Sequence, residues 1–369
     1  CHTPIGPNGA EPPAGGAAAH VARTGNIHVA GCVFEDNYAG PDDATDHLAG
    51  NGGALKLEEC RATLIERCTF RANRAHYGGA LFAENCARVV IAGSENAQLE
   101  SALQDPSEWP APAPPDTVPA QQPNLPPALS GSGFDSIFDR NESVKAGGAL
   151  SFIDSGFYVV NGCFIANKGR ARPGNQLTEI NSYGGAVAAR LSDERFVGQV
   201  LRSLFRANWA TCGGAVGVMG SNDGNAAVIG VPNTVFGGGT VRVSECIVHD
   251  NNASAIGGGL HLLGSGSFEV RDNRISMCSA IKNGGGCAIM GNAQADVLGN
   301  LIQRNAVTRV LPDEAPGGGG GLYFSIYCDP IYLGNNRFVR NRSTEDGGAL
   351  RATCGCEITL LPGNVFAEN

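Results

Sequence analysis

Three observations predict an all-β solenoid, a single-stranded parallel β-helix of about ten coils. The first is a Gly-Gly pair, followed by Ala or Gly and then in all but one copy by an aliphatic residue. It recurs nine times, from Gly52-Gly53-Ala54-Leu55 to Gly347-Gly348-Ala349-Leu350. The second is an apolar residue followed three positions later by Asn, in nine copies interleaved with the first. These are Phe34/Asn37, Phe70/Asn73, Phe138/Asn141, Phe164/Asn167, Phe205/Asn208, Val248/Asn251, Ile302/Asn305, Phe338/Asn341 and Phe366/Asn369, with a degenerate copy at Ile275/Cys278. The third is the short alternating run after the glycines, as in Leu55 and Leu57 against Lys56 and Glu58, which marks strands and not helices. The shortest glycine-to-glycine intervals are 26 to 29 residues. A unit that short cannot bury its own apolar face, but stacked neighbours can bury it for each other.

Within the unit from Gly52 to Tyr77, the glycines supply a tight corner, where φ is positive or a side chain would strike the next coil. Leu55 and Leu57 then point into the stack, a second extended run carries Leu64, and Phe70 with Asn73 closes the coil. Equivalent residues fall into columns: Leu55, Leu81, Leu150, Val187, Val216, Leu260, Leu322 and Leu350 in one, the motif Phe side chains in another. Stacked Asn side chains donate an amide hydrogen to the carbonyl of the next Asn while bonding turn backbone. Asn273, Asn300, Asn336 and Asn364, each two residues before the motif apolar residue, predict a second such ladder in the C-terminal half. At a rise of about 4.8 Å per coil, ten coils make a rod about 48 Å long.

The pairing of GGA[ILV] with FxxN resembles the repeats of the chlamydial polymorphic outer membrane proteins and related secreted pectin-lyase-like proteins, over most of residues 25–369. The resemblance implies a right-handed parallel β-helix on a cell surface or outside the cell, often adhesive and exported through a membrane. This chain departs from it in its heavy use of cysteine, and no outer-membrane barrel follows Asn369. Similar repeats also occur in large secreted eukaryotic glycoproteins.

Composition narrows the class. With 53 Gly, 42% hydrophobic and 17% charged residues in 369, the chain is turn-rich yet too apolar for disorder. A net charge of -9 and the lack of a basic stretch disfavour nucleic acid, and no apolar run reaches the length of a membrane span. The start at Cys1, without Met or a signal peptide, reads as a processed chain or a segment of a longer one. Its 13 cysteines show no Cys-x-x-Cys zinc spacing, so no metal or other cofactor is expected. Their register is more informative. Cys60 and Cys86 both lie eight residues after their Gly pair, Cys328 and Cys356 both nine, and Cys32 and Cys68 both precede a motif Phe by two. Residues in equivalent positions stack, which makes these three pairs disulfide candidates and suggests an oxidising compartment; the alternative is that Cys serves as a small interior residue. Three sequons, Asn141, Asn252 and Asn341, are glycosylation candidates. Two of them are ladder positions, so Asn252 is preferred.

The domain reading is an N-terminal extended segment at 1–24 and a β-helix at 25–369, interrupted by an insertion at 92–130. Nine of the 20 prolines fall between Pro106 and Pro127, and such a segment is not a sheet strand. It is a surface loop or a docking arm anchored by Trp109 and Leu125. Many β-helices are polysaccharide lyases or hydrolases, and those chemistries need carboxylates clustered on adjacent coils, to hold Ca²⁺ or to act as acid and base. On the outward face after the glycines only Glu58 and Glu84 are neighbours, and Lys56 beside Glu58 suggests a solvated charge pattern. No catalytic residue is assigned. The same face carries Ile153, Met219, Leu263 and Met290, with Tyr323 nearby, as an apolar stripe broken by Arg190; such stripes mark contact surfaces when exposed, and the alternative is that a loop, such as the Pro-rich one, covers this one. His261 is expected at the surface. The expected function is a non-catalytic extracellular or cell-surface scaffold, structural or adhesive, part of a larger secreted glycoprotein or filament. Its partners would be other protein chains, further copies of itself or glycans. The alternative is a pectin-lyase-like polysaccharide lyase or hydrolase.

Overall fold

The structure is a computed structural model that describes residues 18–40, 50–92, 136–170, 182–220, 239–308 and 317–369. Among the described residues every regular element is a strand, and the strands form four parallel sheets of ten, ten, eight and ten strands. In each sheet the strands lie in the order in which the chain visits them. Each pass around the four sheets is therefore one coil, and the ten coils make a parallel β-helix.

The first sheet holds the strands after the glycine pairs, from Ala19–Ala22 and Leu55–Glu58 to Leu350–Ala352. The second runs from Asn26–Ala30 to Ile358–Leu360, and the third, which carries the motif apolar residue, from Val33–Glu35 to Val365–Ala367. The fourth runs from Arg74–Tyr77 to Arg342–Ser343. Ala19 to Ala22 pair in register with Leu55 to Glu58, so the solenoid already includes residues assigned from sequence to the leading segment. The Pro-rich insertion, with Trp109 and Leu125, lies outside the described residues.

The predicted columns are present. Leu55, Leu81, Leu150, Val187 and Val216 are consecutive in-register partners, and Cys287 fills the place between Leu260 and Leu322. The motif rings stack face to face, with centroids 4.8 Å apart from Phe34 to Phe70, 4.9 Å from Phe70 to Phe138 and 4.7 Å from Phe138 to Phe164. At that separation each ring buries both faces against its neighbours, and stacking adds to the gain from burial.

The corner explains the glycines. The first Gly of each pair has positive φ, 68° at Gly52 and 65° at Gly213, and a methyl group there would overlap the carbonyl oxygen three residues on. At the second, a methyl group would overlap the backbone of the next coil: Gly185 faces the carbonyl of Gly214 and the amide of Trp209. One glycine is required by conformation and the other by contact.

Asparagine closes the opposite corner. The amide Nδ2 of Asn208 donates to Asn251 Oδ1 at 2.9 Å and to the carbonyl of Phe164 at 3.1 Å. Its own Oδ1 accepts from Asn167 Nδ2 at 3.0 Å and from the Asn167 backbone N–H at 2.9 Å. The pattern repeats from Asn37 to Asn251, where Cys278 takes one place, and resumes from Asn305 through Asn341 to Asn369. The second ladder, Asn273–Asn300–Asn336–Asn364, has the same bonds.

Candidate interaction face and cysteine columns

The outward face of the first sheet has the predicted registers. Glu58 pairs with Glu84, Glu84 with Ile153, Ile153 with Arg190, Arg190 with Met219, Met219 with Leu263 and Leu263 with Met290. The stripe is largely covered. Ile153, Leu263 and Tyr323 are buried, and Met219 and Met290 are half-buried. The corner is the cause. Because the chain reverses at the positive-φ glycine, the residue just before it folds back beside this face, so Met219 packs against a cluster of Ala146, Tyr183, Ala188 and Cys212. Leu263 fits against Gly291, where a side chain would crowd it. Tyr323 shares a hydrogen bond with Thr353 Oγ1 at 3.1 Å.

Two polar residues of this face also differ from expectation. Lys56 is buried, its Nζ 3.3 Å from Glu58 Oε2, and is not a solvated surface charge. His261 is buried at 1% exposure, between Gly217 and Ala288 in register. Burial without a hydrogen bond to Nδ1 lowers its pKa to about 4, which keeps the ring neutral.

The two carboxylates of the face titrate in opposite directions. Burial would raise Glu58, but Lys56 and His20, 3.2 Å away, outweigh it and hold the carboxyl below its ordinary value. Burial first, and the Glu58 charge second, push Glu84 up. Burial also raises the phenol of Tyr77, which feels both Arg190 and Glu84. Among the described residues, no group of three or more His, Cys, Asp or Glu side chains is placed to hold a metal ion.

The members of each predicted cysteine pair lie on adjacent coils, Cys60 with Cys86, Cys32 with Cys68 and Cys328 with Cys356, where one thiol perturbs its partner. The twelve described cysteines are all free thiols. Most sit where other coils use a small polar residue. Between the second and third sheets one column runs Cys32, Cys68, Ser136, Gly162, Ser203, Cys246 and then the four asparagines of the second ladder. Within it Cys68 N–H donates to Ser136 Oγ at 3.3 Å, Gly162 N–H to Ser203 Oγ at 3.1 Å and Cys246 N–H to Asn273 Oδ1 at 2.9 Å. Cys86 N–H likewise donates to Ser155 Oγ at 2.9 Å. Burial pushes the thiols of Cys86 and Cys246 up to about 12, the mark of inert interior cysteines.

The sequons separate as expected from the ladder. Asn141 and Asn341 are buried, with both amides committed within the stack. Asn252 is only half-buried, on the strand Asn252–Ile256, and its Oδ1 accepts from Ser279 Oγ at 2.5 Å. No helix among the described residues is long and apolar enough to cross a membrane. No family model, curated protein or solved structure matches the chain.

Proposed function

We propose that this chain is a structural scaffold, a rigid rod of an extracellular or cell-surface glycoprotein that holds other protein chains, further copies of itself or glycans. The observation that carries the reading is the continuity of the stack: Asn ladders and aromatic columns tie each coil to the next, a design that extends by adding coils. The repeat resemblance points the same way, to adhesive surface proteins. The test is sedimentation velocity of the chain across a concentration series, alone and with candidate surface chains. Association with itself or with a surface chain supports the proposal, and a monomer indifferent to every partner counts against it.

A second reading, a polysaccharide-active enzyme, is favoured by one observation. Glu58 and Glu84 lie on adjacent coils with pKa values pushed apart, the arrangement that assigns a base and an acid. Turnover of acidic polysaccharide that disappears in Glu84→Gln would establish it.

A further inference from the structure

We propose that the innermost N-acetylglucosamine of a glycan on Asn252 is seated on the indole ring of Trp209, one coil earlier, so that the rod carries a sugar-binding platform for its own glycan. The inference rests on the reading of this chain as a glycoprotein. Asn252 opens the sequon Asn252-Ala253-Ser254 on the first position of its strand in the fourth sheet. In that sheet Lys168, Trp209, Asn252 and Ser279 stand on four consecutive coils, each in register with the next. The residue after each of them, Gly169, Ala210, Ala253 and Ala280, is buried. The four therefore form an outward column. Within it Ser279 Oγ donates to Asn252 Oδ1 at 2.5 Å, which turns the oxygen toward the following coil. The amide nitrogen Nδ2, the atom that carries the sugar, is left on the side of Trp209 and makes no hydrogen bond to any described residue. Ladder asparagines have the opposite orientation, as when Asn208 Nδ2 donates to Asn251 on the following coil.

Trp209 suits the role. It is the one tryptophan among the described residues and is half-buried. One coil step, about 4.8 Å, separates it from Asn252, the distance at which a pyranose on Nδ2 overlies the indole. A pyranose presents a row of C–H bonds on one face, and these pack against the electron-rich face of the indole while the hydroxyls at the rim stay in water. The corner beside the ring carries only methyl groups, because Ala166 and Ala207 occupy it with φ of 53° and 56°. Lys168 stands one step beyond Trp209, exposed and without an ion pair to any described residue. At two steps, about 10 Å from Asn252, its ammonium lies where the second sugar of the glycan core arrives. A glycan held this way runs along the corner between the third and fourth sheets. The rod there presents sugar, and its partner chains meet it on the other faces.

The test uses the whole chain made in a secretory host, with isotope-labelled glycan trimmed by an endoglycosidase to a single N-acetylglucosamine. Nuclear magnetic resonance of that sugar is compared with the same residue on the Asn252 peptide released by proteolysis. Ring currents of the indole should move its protons upfield of the peptide reference; Trp209→Leu should abolish the shift and Trp209→Phe should keep part of it. In parallel, oxidation of Trp209 by N-bromosuccinimide, mapped by peptide mass spectrometry, should be about 5-fold slower than in the unglycosylated Asn252→Gln chain, the population shift that an aromatic contact of ordinary strength supplies. Sugar protons at the peptide position, with Trp209 oxidised as fast as in Asn252→Gln, would overturn the proposal and leave the glycoprotein reading standing. Absence of glycan from Asn252 overturns it as well, and absence from every site also counts against the glycoprotein reading.

Discussion

Replacing Asn208 by Leu tests the ladder at mid-rod, where both neighbouring coils are fully formed. Leu has the same branched outline and number of side-chain heavy atoms as Asn, so the substitution removes hydrogen bonds without opening a cavity. The Asn167 backbone N–H loses its acceptor, Oδ1 of Asn208 at 2.9 Å. Asn167 Nδ2 keeps only the Phe138 carbonyl at 2.9 Å, and the Phe164 carbonyl and Asn251 Oδ1 each lose a donor. Asn208 and Asn167 are completely buried, so water does not replace these bonds. One orphaned backbone donor costs about 1–3 kcal/mol and the weakened side-chain bonds add to it, for a total of about 3 kcal/mol. Urea denaturation followed by circular dichroism reads this as a lower midpoint, with amide exchange at Asn167 accelerated about 100-fold, as an opening free energy smaller by that amount requires. A midpoint shift worth less than about 0.5 kcal/mol with Asn167 still protected would refute the reasoning, because it would mean that the ladder bonds are exchanged for solvent without loss.

The natural gap in the ladder gives the converse experiment. At Cys278 the Asn251 amide reaches only a sulfur at 3.9 Å and turns to the His249 carbonyl at 3.0 Å, so Cys278→Asn should stabilise the chain by about 1 kcal/mol in the same denaturation assay. Gly185→Ala should destabilise by more than about 2 kcal/mol, because the methyl meets backbone and not a movable side chain. His261 is held neutral, with its folded pKa of about 4 below the unfolded value of 6.5. The unfolded chain therefore binds the proton first, and stability falls as pH drops from about 6.5 to about 4. The loss of about 3 kcal/mol over that window should vanish in His261→Leu when denaturation midpoints are compared at pH 7 and pH 4. When the chain is made in a secretory host, glycopeptide mass spectrometry should find glycan at Asn252 and none at Asn141 or Asn341.

Sequence legibility followed chemical uniformity. The glycine corner and the first Asn ladder could be read directly, because each demands one residue type: positive φ beside a carbonyl admits only Gly, and the double donor–acceptor link admits only Asn. The second column was legible only from Asn273 onward. Its N-terminal rungs, Cys32, Cys68, Ser136, Gly162, Ser203 and Cys246, need only a small group that tolerates or accepts an N–H, and several residue types meet that need. The signal was present, since a small residue stands two places before every motif apolar residue. The stripe at Ile153, Leu263 and Tyr323 was placed on the correct face, but whether it stood exposed or covered was not legible. Period-two alternation tells inward from outward and nothing about what folds over the outside. Tyr77, Tyr183 and Ile256, each immediately before a glycine pair, were the clue that a second wall stands beside that face.

The central claim is a rigid stack whose length depends on coil number and not on the residues between coils. It is tested most directly by double electron–electron resonance between labels on ketone-bearing side chains introduced at outward positions of the third sheet. Glu35, Arg206 and Ala367 occupy one in-register column, four and nine coil steps apart when counted from Glu35. At about 4.8 Å per step the separations should be about 19 and 43 Å, each in a narrow distribution. Distances that broaden, or that grow with the length of the intervening insertions, would contradict it.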